Sequence, residues 1–292
     1  MRLFVFGLGF SANRLAHQLM PQGWSVSGTC RTPEKAELLR KDSITAHLFT
    51  GEESLADANA TLADCSHILL SIPPGEHGDP VFHHHAEYIA QLPNLNWLGY
   101  LSTTGVYGDH QGRWIDESTP VNPGSARGQR RVDAENAWLS LHAEHGAPTH
   151  IFRLPGIYGP GRSAFDALQQ RRAQRINKPG QVFCRIHIDD IAQGLSASMA
   201  NPNPGSIYNL VDDEPAPPQD VTALAAELMG MEPPPLIPFD DAELTPMGRS
   251  FYAECKRVRN TKMKEELGVT LKHPSYREGL QAILSEQGLK NP

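Results

Sequence analysis

Three groups of residues have types and spacings that suit chemistry. The first is Gly7-Leu8-Gly9-Phe10-Ser11-Ala12, lying between an apolar run, Leu3–Phe6, and a helix-like segment, Ser11–Met20. In a strand–turn–helix of this kind the first glycine allows the bend and the second lets the backbone approach a pyrophosphate. The small third residue lets helix and strand pack closely. The helix N-terminus adds unpaired N–H groups and a favourable dipole. Gly7, Gly9, Phe10, Ser11 and Ala12 are therefore candidate contacts to dinucleotide phosphates, the alternative being a tight turn with no ligand. The second group is Arg31, about 20 residues beyond the glycines, where an acidic residue would take the ribose hydroxyls of NAD. A guanidinium there suits a 2′-phosphate through forked, charge-assisted hydrogen bonds. NADP(H) is thus the preferred cofactor, with NAD(H) left open. The third is Ser102-Thr103-Thr104-Gly105, hydroxyls at the end of a strand, placed to hydrogen-bond a substrate carbonyl or hydroxyl or to satisfy their own turn.

Two histidine groups invite a metal reading. His83-His84-His85 lie on consecutive helical positions and point to different sides, so they cannot share one ion; a solvated polar face is expected. In His187-x-Asp189-Asp190, Asp189 stands where an N-cap is needed for a helix over 191–199. No metal site is expected.

The elements that must position these residues alternate regularly. Apolar strands are expected at 3–6, 24–29, 44–49, 67–72, 97–101 and 149–154, with helices between them. This is an α/β chain, a doubly wound parallel sheet of Rossmann type covered by helices on both faces. Ser71, Ile72 and Pro73 leave the fourth strand at the carboxyl edge of the sheet, where ligands of such folds lie. Residues 1–155 read as the nucleotide-binding domain, with 183–212 returning to it. Proline-rich stretches from Asn201 onward mark a smaller substrate lobe, mainly 156–292.

At 292 residues with a net charge of −7, the chain lacks the basic balance of a nucleic-acid or anionic-membrane binder. No apolar run approaches a membrane span. The four cysteines, Cys30, Cys65, Cys184 and Cys255, are far apart, which favours reduced thiols and a cytoplasmic location.

Taken together, several stretches resemble the extended and atypical short-chain dehydrogenase/reductases, the NAD-dependent epimerase/dehydratase-like group. They are Ser102 to Asp109, Asp116-Glu117-Ser118-Thr119-Pro120, Pro123-x-Ser125 with Ala134-Glu135, and Arg153 to Gly161. Arg185 to Ala192 and Lys256 to Asn260 with Leu267-Gly268 extend the match along nearly the whole chain. The resemblance implies that the catalytic hydroxyl falls on Thr103 and that Leu154, Pro155 and Gly156 border the nicotinamide. It also implies a small-molecule substrate closed over by the C-terminal lobe, and makes a homodimer plausible. The family's tyrosine and lysine fall on Arg127 and Arg131, so its YxxxK is RxxxR here. The glycine spacing departs too, with Phe6 at the family's first glycine and Phe49-Thr50-Gly51 where an acidic residue often meets the adenine.

Arginine cannot be deprotonated at ordinary pH, so Arg127 cannot be the general acid or base. Arg131 can still donate to the ribose hydroxyls as a fixed cation. Their i, i+4 spacing puts both on one helix face, where together they would make an electropositive pocket for a carboxylate or phosphate unless one turns outward. Tyr158 is a replacement proton donor if cations lower its phenol pKa. Arg162, Arg185, Arg249 and Lys256 are candidates for holding an anionic group. Two functions follow: an NAD(P)(H)-dependent oxidoreductase or epimerase-like enzyme on a small polar, anionic or nucleotide-linked sugar substrate, or a non-catalytic NADP(H) sensor.

Overall fold

The computed structural model describes residues 1–288. Its central sheet has seven parallel strands: β1 (Arg2–Phe6), β2 (Ser25–Cys30), β3 (Thr45–Leu48), β4 (His67–Leu70), β5 (Trp97–Thr103), β6 (Thr149–Leu154) and β7 (Ile207–Asn209). Their order across the sheet is β7-β6-β5-β4-β1-β2-β3. The winding reverses between β1 and β4, which opens a crevice at the carboxyl ends of those strands.

The helices used below are α1 (Phe10–Leu19), α2 (Pro33–Lys41), α3 (Pro80–Ala90), α4 (Ala126–His145), α5 (Ala164–Gln169), α6 (Ile188–Ala200), α7 (Pro218–Leu228) and α8 (Tyr276–Gln287). Successive strand residues point to opposite faces, so Leu3 and Val5 pack with Leu15, Leu19, Ile191 and Leu195 of α1 and α6. Phe4 and Phe6 pack on the other side with Ile89, Trp138 and Leu141 of α3 and α4. Burial on both faces is why β1 reads as one unbroken apolar run.

Beyond β6 the chain builds short extensions. Gly156–Tyr158 pairs in parallel with Arg185–His187, Arg175–Asn177 with Leu236–Pro238, and Trp114–Ile115 with Arg257–Val258. A separate small core of Phe165, Leu168, Ala225, Tyr276, Leu280 and Ile283 joins α5, α7 and α8.

Two local expectations need correction. α6 begins at Ile188, capped by the His187 ring, whose Nδ1 accepts the Asp189 amide at 3.2 Å. Asp189 is therefore inside the first turn and free to pair with Arg14, 175 residues away. The histidine run is a solvated face only at His83, which is exposed. His85 is 3% exposed, accepts the Leu55 amide at 3.1 Å and stacks on Phe6. His84 meets the Gly51 carbonyl. All four cysteines are free thiols. Among the described residues no helix is long and apolar enough to cross a membrane.

Candidate functional site

The glycine turn is held from three sides. The Gly7 and Leu8 amides donate to the Thr29 hydroxyl and carbonyl, each at 2.8 Å. Ser71 donates its amide to Phe6, drawing Ser71-Ile72-Pro73 alongside the turn. Gly7 has φ +90°, and a Cβ there would lie 2.8 Å from Ile72 Cγ1, so no other residue fits this bend without strain. Gly9 has φ −91° and caps α1; a Cβ on it would meet nothing nearer than 3.9 Å.

Among the described residues no acceptor meets the amides of Phe10, Ser11 and Ala12, and the first turn of α1 carries no acidic side chain. These open donors at a helix N-terminus, with free space over Gly9, fit a pyrophosphate. Arg31 is exposed directly after β2.

Thr103 ends β5 opposite Leu154. Its Oγ1 accepts the Gly105 amide at 3.1 Å, which leaves its hydroxyl proton for another acceptor. α4 starts under the Ser125 side chain, which accepts the Gly128 amide. One turn on, Arg131 Nη1 donates to the Leu101 carbonyl at 2.6 Å and to the Tyr100 hydroxyl at 3.2 Å. That fixes a cation at the carboxyl end of β5. Arg127 is exposed and makes no hydrogen bond or ion pair among the described residues. Of the two arginines, then, only Arg131 is anchored inward.

Behind Thr103 lies a pair whose purpose sequence reasoning missed. Glu135 and Arg153 are 2% and 4% exposed and joined at 2.6 to 3.2 Å, and the Ser102 hydroxyl donates to Glu135 at 2.5 Å. Arg153 also covers the Tyr107 ring, and Tyr107 donates to Asn209. The cluster ties the ends of β5, β6 and β7 to α4 and so fixes the backbone that carries Thr103. Its members stand 18 and 33 residues apart, and nothing local in the sequence marks them as partners.

Tyr158 is 8% exposed and donates to the Ser275 carbonyl at 3.2 Å. Burial, together with the carboxyls of Asp212 and Asp190, pushes its pKa up and outweighs Arg185. The expected lowering by cations does not occur, because burial of the phenol outweighs the nearby Arg185 charge. It still lines a cavity of about 370 Å³, shared with Arg162, Arg172, Arg185, Asp166 and Tyr276. Two of the four proposed anion contacts, Arg162 and Arg185, thus meet. Arg249 lies over Phe239 instead, and Lys256 is tied to Glu254 and the Gly108 carbonyl.

His187, Asp189 and His273 come together, with His273 Nε2 3.5 Å from Asp189. Asp189 is also paired with Arg14; burial opposes its ionisation, but hydrogen bonds from His273 and Arg14 pull its pKa far down. The neutral His187 ring accepts an amide at Nδ1, so its Nε2 must carry the proton and offers no lone pair to an ion. The group serves as an ion-paired clasp between α1, α6 and the segment before α8.

The model of the NAD dependent epimerase/dehydratase family matches residues 86–210. The chain is 27% identical over 242 residues to Protein YeeZ of Escherichia coli K12, covering 80% of this chain and 85% of that one. It is 51% identical, with a TM-score of 0.91 and 98% of both chains covered, to a functionally unknown conserved protein from Silicibacter pomeroyi. A UDP-glucuronic acid 4-epimerase from Bacillus cereus, solved with UDP-glucuronic acid and NAD, shares the fold at a TM-score of 0.78 and 17% identity, over 98% of this chain and 100% of that one. The middle of the chain thus matches the NAD-dependent epimerase/dehydratase family model, and its reversing parallel sheet has the fold of the solved epimerase.

Proposed function

We propose that the protein binds a nicotinamide dinucleotide on the Gly7–Ala12 turn and acts as an oxidoreductase or epimerase-like enzyme on a small polar substrate, anionic or nucleotide-linked. The observation that carries this reading is the set of three open amides at α1, with Thr103 and the anchored Arg131 at the neighbouring strand end. A bound nicotinamide supplies or accepts hydride. Thr103 donates a hydrogen bond from its hydroxyl to the substrate oxygen and orients it. Arg131 holds ribose hydroxyls as a fixed cation and transfers no proton. Leu154, Pro155 and Gly156, leaving β6 beside Thr103, wall the nicotinamide.

In this reading 1–155 with 183–212 bind the dinucleotide, and 156–288 close over the substrate in a cytoplasmic, homodimeric protein; 289–292 lie outside the described residues. Exposed Arg31, with no acidic side chain at the end of β2, favours NADP(H), although the Bacillus cereus relative was solved with NAD. Calorimetric titration decides it. Arg31→Glu should weaken NADPH at least about tenfold while changing NADH little; equal loss of both would remove the NADP assignment.

A second reading, a sensor that binds the dinucleotide without turnover, draws on two residues. Arg127 cannot shuttle a proton, and the Tyr158 phenol is already committed to Ser275. Sustained NADPH binding with no oxidation against a panel of carbonyl compounds and nucleotide sugars would favour it.

A further inference from the structure

Arg185 enters the cavity from the strand that pairs with Gly156–Tyr158. Its Nη1 donates to the Phe183 and Ala216 carbonyls at 2.8 and 3.0 Å. Among the described residues no carboxylate lies within ion-pair distance of it. Desolvation lowers its pKa, so the charge is held at a cost that a partner would relieve.

The nearby buried carboxyl does not supply that partner. Asp212 is 2% exposed, and both of its oxygens are without a hydrogen bond. It makes no ion pair with Arg185 among the described residues, and burial raises its pKa despite that charge. The cavity wall carries one carboxylate, Asp166, already taken up by the Ser163 amide and hydroxyl. Against it stand three guanidiniums, Arg162, Arg172 and Arg185, an excess of two positive charges.

The two carbonyls bonded by Arg185 do not depend on it. Phe183 and Ala216 exchange backbone hydrogen bonds at 3.0 and 3.1 Å, so each oxygen stays satisfied without the side chain. A purely structural role would leave the guanidinium little to do. Arg162 is set by a tight turn, in which Gly159 and Arg162 exchange two backbone hydrogen bonds, and its guanidinium lies 5.6 Å over the Phe10 ring. The cavity therefore abuts the cofactor turn.

We infer that this cavity is an oxyanion site, with Arg185 as principal receptor and Arg162 on its rim, and that the substrate carries a phosphoryl or carboxylate group there. The inference deepens the proposed function and rests on its placing of the substrate in this lobe, yet it is tested without cofactor. The test is calorimetric titration of the full chain with sodium phosphate and with sodium malonate, at ionic strength held constant with sodium chloride. One of the two should bind saturably, and which one separates a phosphoryl from a carboxylate source. Arg185→Met should keep its melting temperature and raise the Kd of that anion at least about tenfold, as expected for a lost charge-assisted hydrogen bond.

No saturable binding of either anion, or an unchanged Kd in Arg185→Met, would overturn the inference. Should Arg185→Met not fold, Arg162→Ala decides: a several-fold rise in Kd supports the site and no rise overturns it. NADH and NADPH titrations on the same samples report on the dinucleotide turn alone, so failure of the cofactor reading remains distinguishable.

Discussion

Gly9→Ala separates binding from folding. Gly9 sits at φ −91°, where any residue is comfortable, and an added Cβ finds its nearest atom 3.9 Å away. The fold should lose only a few tenths to about 1 kcal/mol, the difference between glycine and alanine at an N-cap. The methyl group, however, would project into the space above the open amides of Phe10, Ser11 and Ala12. Pushing a phosphate off even one of these donors removes a charge-assisted hydrogen bond worth about 1.5–3 kcal/mol, roughly tenfold to a hundredfold in Kd. Gly7→Ala is the contrasting control. At φ +90° with Ile72 Cγ1 2.8 Å from the new Cβ, it should cost about 1–2 kcal/mol in backbone strain alone, before any repacking of Ile72. Urea unfolding gives the stabilities and calorimetry the affinities for NADH and NADPH. If Gly9→Ala folds normally and binds both cofactors as tightly as the parent, phosphates do not rest on these amides.

Three further expectations follow from the same geometry. Glu135→Ala should cost about 3–5 kcal/mol in urea unfolding, because it strands the Arg153 charge inside; Glu135→Leu with Arg153→Met should cost much less, and equal losses would argue against that cause. Burial lowers the pKa of His67, His85 and His150 to about 4 and that of His187 to about 3. The unfolded chain therefore takes up protons from about pH 6.5 downward while the folded one does not, and stability present above pH 6.5 should fall by about 1.4 kcal/mol per pH unit for each histidine until about pH 4. Asp212, with its raised pKa, acts in the opposite sense, its contribution lost as pH rises; stability that stays flat from pH 7 to 5 would contradict the histidine account. Finally, Arg127→Tyr with Arg131→Lys should bring in reductase turnover of NADPH if only these side chains block it, and no gain would mean that the pocket has diverged more widely.

The sequence alone was enough for the parallel sheet and the glycine turn, because these depend on neighbours. An apolar run bounded by glycines carries its own geometry wherever the chain places it. The i, i+4 placing of Arg127 and Arg131 was legible for the same reason, being set by register in one helix. Tertiary structure alone decided which arginine turns inward, since Arg131 finds the Leu101 carbonyl 30 residues away. It also decided that Asp189 pairs with Arg14 rather than capping its helix, that His85 is core, and that Arg162 and Arg185 share a cavity. A charged side chain takes its direction and its pKa from whichever distant elements pack around it, and periodicity does not record that.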